Sequence, residues 1–446
     1  MYQREGMKRL LGLFFPLLLV TFTNSIFLLV EKLFLAQISS QAMQAAVTAA
    51  YVSSISQVAC VLLAMMAQVI VGTRYGERAY LEIGPSVWQY IWFSLFSSLV
   101  IIPVNFLIGD LYFQEGAIRH LALPYFHLTI GMIFLHPLGA ALACFFLGQG
   151  KTRLLLFATI GSQTLKIAAS YLFIFGKWNF PALGLLGGAW GSLVAQGSFC
   201  LFLFSVFMNK KNRLCFNTSQ WKFRWKLFKD CIYPGCLRAL NRVITLSCWA
   251  ITARLTIAQG EDYALALSLG GTLFFFLPCF GDALCQAQVT IVSQYVGAGK
   301  YTGLKPAARV GYFMALLISV LGAVPLLLFP EFIFRSLFPT LILNPEFIQE
   351  LLFGAFCSFS WMMVSFIPIS TILAFRDMHF SLFTGMFSWI DGYLLVLFFL
   401  KIVHIPASQF WLISSLTHAC TALICHLRAN YLVKRFEKSL TAASSA

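Results

Sequence analysis

Twelve runs of apolar residues, each long enough to cross a bilayer, constrain this chain more than any other feature. A helix needs about 20 predominantly apolar residues to span the hydrocarbon core. Runs of that length lie near residues 10–35, 44–72, 84–109, 119–147, 154–176, 182–208, 231–258, 263–293, 306–330, 348–375, 379–403 and 408–433. Composition agrees, because only 11% of the 446 residues are charged and 59% are hydrophobic. Soluble domains carry about 25% charged residues, and a soluble fold of this length could not cover so much apolar surface. The fold expected is an all-α polytopic membrane protein of twelve transmembrane helices. The opening "MYQREGMKRLLGLFFPLLLV" has the basic-then-apolar order of a signal peptide. No small-x-small cleavage site follows, so it reads as a retained first span.

The net charge of +15 points to topology once it is mapped onto the loops. With the N-terminus placed inside, 22 of the lysines and arginines fall in inside segments and 5 in outside ones. Lys32, Lys166, Arg238 and Arg242 remain within spans. Such asymmetry is the positive-inside pattern of a cytoplasmic face, and it places both termini in the cytoplasm of a cell-membrane protein. The basic residues therefore mark orientation and contact with anionic lipid, not a nucleic-acid groove. The 12 cysteines are scattered through apolar runs without a CxxC pair, so they read as packing residues and no metal site is expected.

The longest inside loop, "NKKNRLCFNTSQWKFRWKLFKD", divides six spans from six. This gives an N-terminal lobe over 1–208, a basic cytoplasmic loop over 209–230 and a C-terminal lobe over 231–446. An even number of spans per half sets both halves the same way up, related by a pseudo-twofold axis along the membrane normal, a common transporter plan. Traces of the repeat survive. "FFPLLL" around Pro16 pairs with "IYPGCL" around Pro234, "VIVGTRYGER" with "TIVSQYVGAGK", and "LGQGKTRLLLF" with "LAFRDMHFSLF".

The same landmarks carry a family likeness. Pro16 with Glu31 fifteen residues on, "VEKLFLAQ", "SQYVGAGK" and above all "LGQGKTR…YLFIFG…PALGLLGGAWGSLVAQ" resemble the multidrug and toxic compound extrusion (MATE) family. The likeness covers nearly the whole chain, more weakly after about residue 340. It implies two six-helix lobes around a cavity, alternating access, and export of amphiphilic compounds driven by H⁺ or Na⁺ entry. In many members an acid on the first span and an Asp-centred polar group on the fifth handle the cation. Spacing from "YLFIFG" sets that Asp at Ser170 here, and an Asn of the family at Lys166.

An ammonium within a span is costly, at least ~2.5–3.5 kcal/mol at the bilayer centre. Lys166 lies roughly 20 Å up its helix from Arg153, Ser170 about 25 Å, and Glu31 about 33 Å from Arg9. A buried ammonium loses its proton or takes a partner, and Glu31 is the nearest candidate. A Glu31–Lys166 pair would favour H⁺ over Na⁺ coupling, since Lys offers no acceptor and Ser170 only a hydroxyl. Lys32 reads as a residue snorkelling to the interface.

In the C-terminal half, Arg238 and Arg242 share a face of the seventh span. Arg242, Asp282 and Asp391 each lie about 18–20 Å from their inner anchors. A mid-membrane Arg/Asp network facing the substrate cavity is expected, with Gln163 joining the cavity lining from the fifth span. The likeness puts a Glu of some relatives at Arg242, an inversion of charge. Pro16 and Pro234 are expected to allow bending. His127 and His136 read as packing or hydrogen-bonded residues.

No GK[ST] phosphate loop, HExxH or Ser/His/Asp set is present, which points away from an enzyme or an ATP-driven pump. The function expected is an H⁺-coupled antiporter, with Na⁺ as the alternative ion, exporting amphiphilic small molecules as a monomer without a cofactor. A carrier of an anionic or lipid-linked amphiphile is the first alternative, and a non-transporting membrane scaffold the second.

Overall fold

In the computed structural model, which describes residues 2–113, 118–178, 181–337 and 344–445, the apolar runs are helical and no strand occurs among those residues. The first half of the chain forms α1 (Tyr2–Ile38), α2 (Ser40–Ala64), α3 (Met66–Gly76), α4 (Ile83–Tyr112), α5 (Arg119–Gly131), α6 (Leu135–Gly148), α7 (Thr152–Phe175), α8 (Leu185–Phe207) and the short α9 (Lys210–Phe216). The second forms α10 (Trp225–Ile257), α11 (Glu261–Phe276), α12 (Pro278–Gly297), α13 (Leu304–Leu328), α14 (Pro330–Leu337), α15 (Pro345–Ala374), α16 (Met378–Phe398) and α17 (Phe410–Ser445).

Eight helical stretches among the described residues are long and apolar enough to cross a membrane, or nine if α5 and α6, bent by 41°, make one span. The crossings that complete a layout of twelve are α7, α10 and the α11–α12 pair. These helices carry Lys166, Arg238 with Arg242, and Asp282. Ionisable residues within spans are costly and tend to line a functional interior; here they also occur in the apolar helices α1 (Glu31) and α16 (Asp391).

Contacts divide the chain into two compact units, residues 19–239 and residues 1–18 with 240–446. Each unit therefore takes the opening turns of a helix that mostly belongs to the other. Pro16 and Pro234 sit inside unbroken α1 and α10, a few residues before those crossing points. Each proline removes one helical hydrogen bond close to the place where its helix changes unit.

Within unit 19–239, α7 and α8 form a close hairpin. The α8 sequence places Gly187 and Gly191 four apart on one face, the small-xxx-small spacing that lets membrane helices approach. A methyl on Gly187 would meet the Phe173–Ile174 backbone, and one on Gly191 would meet Ser170. The basic loop is also pinned. The Trp88 and Trp92 indoles on α4 donate to the carbonyls of Thr218 (2.7 Å) and Trp221 (2.8 Å). Gln89 donates to Lys222 O at 3.2 Å and accepts from Arg224 N at 3.3 Å. Lys151, at the start of α7, lies over the Phe216 ring; burial, with Lys211 nearby, holds its ammonium below the usual lysine range. We expect Gln89→Leu to leave the fold intact but free residues 220–224. Limited trypsin digestion would then cleave after Lys222 and Arg224 several-fold faster than in the wild type, and unchanged digestion would count against the pinning.

Within the other unit, α15 and α17 pack around Leu351, Leu352, Ala355 and Trp411, with Ala266 and Leu267 of α11 against them. Arg9 of α1 donates to Gln294 at the end of α12 and lies over the Tyr295 ring. Asp377 caps α16 and pairs with Arg428 at 2.7 Å.

The internal repeat reappears in the backbone. Left-handed residues end corresponding helices at Arg78 and Gly299, at Gly150 and Arg376, and at Gly176 and His404. Short 3₁₀ turns follow the first pair, at Tyr80–Glu82 and Tyr301–Gly303. Two halves with different side chains thus terminate helices with the same device, a left-handed cap that satisfies the last carbonyls.

Candidate functional site

The site in unit 19–239 is built on α1 and α7. Glu31 and Lys166 meet there, Lys166 Nζ lying 2.5 Å from Glu31 Oε2. Both are sequestered: Glu31 is 8% exposed, and the Lys166 side chain is 15% exposed. The other carboxylate oxygen accepts a hydrogen bond from Ser192 Oγ of α8 at 3.3 Å. Gly188, one turn before Ser192, leaves room for Glu31; a methyl there would sit 3.6 Å from Oε1. Toward the N-terminal ends of the same helices, Gln163 donates to Asn24 Oδ1 at 2.8 Å. Two polar pairs therefore join α1 to α7.

Ser170 follows Lys166 by one turn. It is 1% exposed, and its hydroxyl has no hydrogen-bond partner, being turned against Gly191 of α8 instead of toward Glu31. Tyr125 of α5 lies within electrostatic range of Glu31, and His136 of α6 within range of Lys166. His127 packs edge-on against Phe106 and stands 3.6 Å from Asp110. Lys32 is half-buried, and the ion pair of Glu31 is with Lys166.

Of the Arg/Asp network expected in the C-terminal half, the structure places the members in two different units. Arg238 belongs to unit 19–239, where its guanidinium lies 3.8 Å from Met66 Sδ. Arg242, Asp282 and Asp391 belong to the other unit. Arg242 and Asp282 are exposed. No ion pair joins Arg242 to Asp391 among the described residues, and Asp391 Oδ2 is buried without a hydrogen-bond partner. Equal depth along separate helices sets one coordinate of three. Helix rotation and the unit to which each turn belongs set the others. Near Asp391 the structure instead holds a cavity of about 150 Å³, whose polar lining includes Thr245, Thr252, Ser388, Thr417 and His418. His418 is held by Ser414 O at 2.7 Å and Ser358 Oγ at 3.2 Å.

Sequence reasoning did not single out Ser192, Asn24 or the cavity around His418. Asn24 had a signal, since it precedes Glu31 by two helical turns and so shares its face. Ser192 had none, because hydroxyl residues are common on membrane helices without pattern. Among the described residues no cluster of His, Cys, Asp and Glu could hold a metal ion.

A twelve-helix layout with a buried acid–base pair inside one lobe is the plan of a multi-pass membrane transporter. Residues 16–172 and 239–340, a stretch in each half, match the sequence model of the MatE family. The chain belongs to that family, the multidrug and toxic compound extrusion transporters. Similar curated proteins include the probable multidrug resistance protein NorM of Thermotoga maritima, 24% identical over 337 residues, 74% of this chain and 72% of that one. The NorM of Pasteurella multocida is 24% identical over 360 residues, covering 78% and 77%. Among solved structures, a MOP superfamily transporter from Pyrococcus furiosus, described as having a binding pocket of reverse polarity, superposes with a TM-score of 0.83 at 14% identity over 97% of both chains. An outward-facing multidrug resistance MATE transporter gives 0.83 at 13% identity, again over 97% of both. At these identities the likeness establishes a shared fold.

Proposed function

We propose that this chain is a secondary active antiporter of the cell membrane, exporting amphiphilic small molecules by alternating access, with Glu31 taking up the driving proton. The observation that carries this reading is the buried Glu31–Lys166 pair with Ser192 on the second carboxylate oxygen. Ionised, Glu31 holds Lys166 and neutralises it. Protonated, it loses the attraction and releases an ammonium between α1 and α7, so one proton changes the charge of a poorly hydrated site and biases the helices that line it. Lys166 Nζ offers no lone pair to a metal ion, which supports H⁺ over Na⁺ as the coupling ion. The relatives named as multidrug resistance proteins support the substrate class. The count of basic residues by loop supports cytoplasmic termini. A monomer without a cofactor is part of the proposal.

The test is efflux of ethidium and norfloxacin from pump-deficient cells. Wild-type protein is expected to lower accumulation, and Glu31→Gln at equal expression to abolish that effect. An uncoupler should collapse export, whereas replacing Na⁺ should not. Export that survives Glu31→Gln, or none from a correctly inserted wild type, overturns the proposal. Lys166 supports a second reading, a carrier of an anionic or lipid-linked amphiphile. An ammonium stands where the family likeness places an Asn, and the Pyrococcus furiosus neighbour is described by its reversed pocket polarity.

A further inference from the structure

We infer that a proton and an anionic amphiphile bind the Glu31–Lys166 site together, so that for anions the coupling is cotransport. This rests on the reading of Glu31 as the proton-carrying residue of a transporter. The argument starts from the contact itself: with Nζ 2.5 Å from Oε2, the ionised pair is closed and neutral. An anion approaching it must compete with the Glu31 carboxylate for Lys166. Protonation of Glu31 removes that competitor and leaves a net positive site, which attracts the anion. By reciprocity, the bound anion raises the proton affinity of Glu31 by the same factor. A cation meets the opposite logic, since it competes with both the proton and Lys166 for the one carboxylate. The same two side chains therefore exchange a cation for a proton but carry an anion with one. A proton and a monoanion bring no net charge, so an inward pH gradient drives anion uptake independently of membrane potential.

Other groups around the pair leave this logic in place. On α1, Lys32 is the adjoining residue. Tyr125 of α5 and His136 of α6 are in electrostatic range. Gly188 and Ser192 face Glu31 from α8. From α2, the core around Leu35 receives alanines, Ala42, Ala45, Ala46 and Ala49. His136 is itself a titratable neighbour, and the test separates it.

The experiment uses the full chain in phosphatidylcholine nanodiscs, with radiolabelled taurocholate, a sulfonate that stays anionic throughout, and tetraphenylphosphonium as the cation. Taurocholate affinity is expected to fall as pH rises, by up to about tenfold per pH unit. Glu31→Gln should bind it with the affinity of the low-pH wild type at every pH. Lys166→Met should lose it, and His136→Gln should keep the pH response. In liposomes, external acid should drive taurocholate uptake with the membrane potential clamped at zero. Binding that ignores pH or weakens in acid, or that persists in Lys166→Met, overturns the inference. Tetraphenylphosphonium extrusion against protons with taurocholate ignored sinks the inference while the transport proposal stands. If neither probe moves, both fall. Glu31→Gln keeps the shape of the site, so the test does not depend on whether Lys166→Met folds.

Discussion

Lys166→Ala is expected to destabilise the protein by about 3–5 kcal/mol, the cost of stripping a buried charge of its partner. Glu31 is 8% exposed, and after the substitution it retains only the Ser192 hydroxyl among its observed partners. The loss should show as earlier thermal unfolding in detergent. The double variant Glu31→Gln with Lys166→Met removes both charges at nearly constant volume. A neutral replacement of a buried pair is often neutral or stabilising, so the double variant should unfold close to the wild type. Two single variants that each unfold early and a double that recovers would show that the pair is a matched device. If Lys166→Ala unfolds with the wild type, Glu31 has another counter-ion and the pair is incidental.

The second large effect is expected at Gly191. A side chain there enters the space of Ser170, with the Ser170 Cα only 2.8 Å from where a Cβ would stand. The obstacle is backbone, so α7 and α8 must separate, whereas a flexible side chain could have turned aside. We expect Gly191→Leu to cost about 1–3 kcal/mol through overpacking. Shifting α8 moves Ser192 away from Glu31, and shifting α7 moves Lys166. Transport should therefore fall more steeply than stability. The check is unfolding temperature and ethidium efflux measured on the same preparations. Gly197, where a methyl would meet nothing within 4 Å, is the control. Equal effects at Gly191 and Gly197 would remove the case for a close α7–α8 contact.

The Glu31–Lys166 contact was legible because a charge inside an apolar run is expensive and the chain offers few partners. Counting along straight helices sets Glu31 and Lys166 about 13 Å apart in height. The structure nevertheless closes the pair, so straight-helix counting fixes heights only loosely, and the length of the two side chains takes up part of the difference. Asp391 and Arg242, which the same counting puts at nearly one level, do not pair. Arg238 shows a second limit. It shares a helix face with Arg242, yet the division between units falls between them and leaves Arg238 beside Met66.

By itself the sequence determined the helical class, the count of twelve spans, the repeat and the family. These follow from run length, hydropathy and local caps, which are properties of consecutive residues. Left-handed caps at matching places, such as Gly150 and Arg376, show how locally that information is written. Tertiary structure alone decided that Ser192 binds Glu31, that Ser170 turns to Gly191, that Asp391 keeps an unpartnered buried oxygen and that a polar cavity forms around His418. Those outcomes depend on how far each helix is rotated about its axis and on which neighbour it packs against. Both are set by glycine contacts and side-chain volumes from segments far apart in the chain, and no window of neighbouring residues contains them.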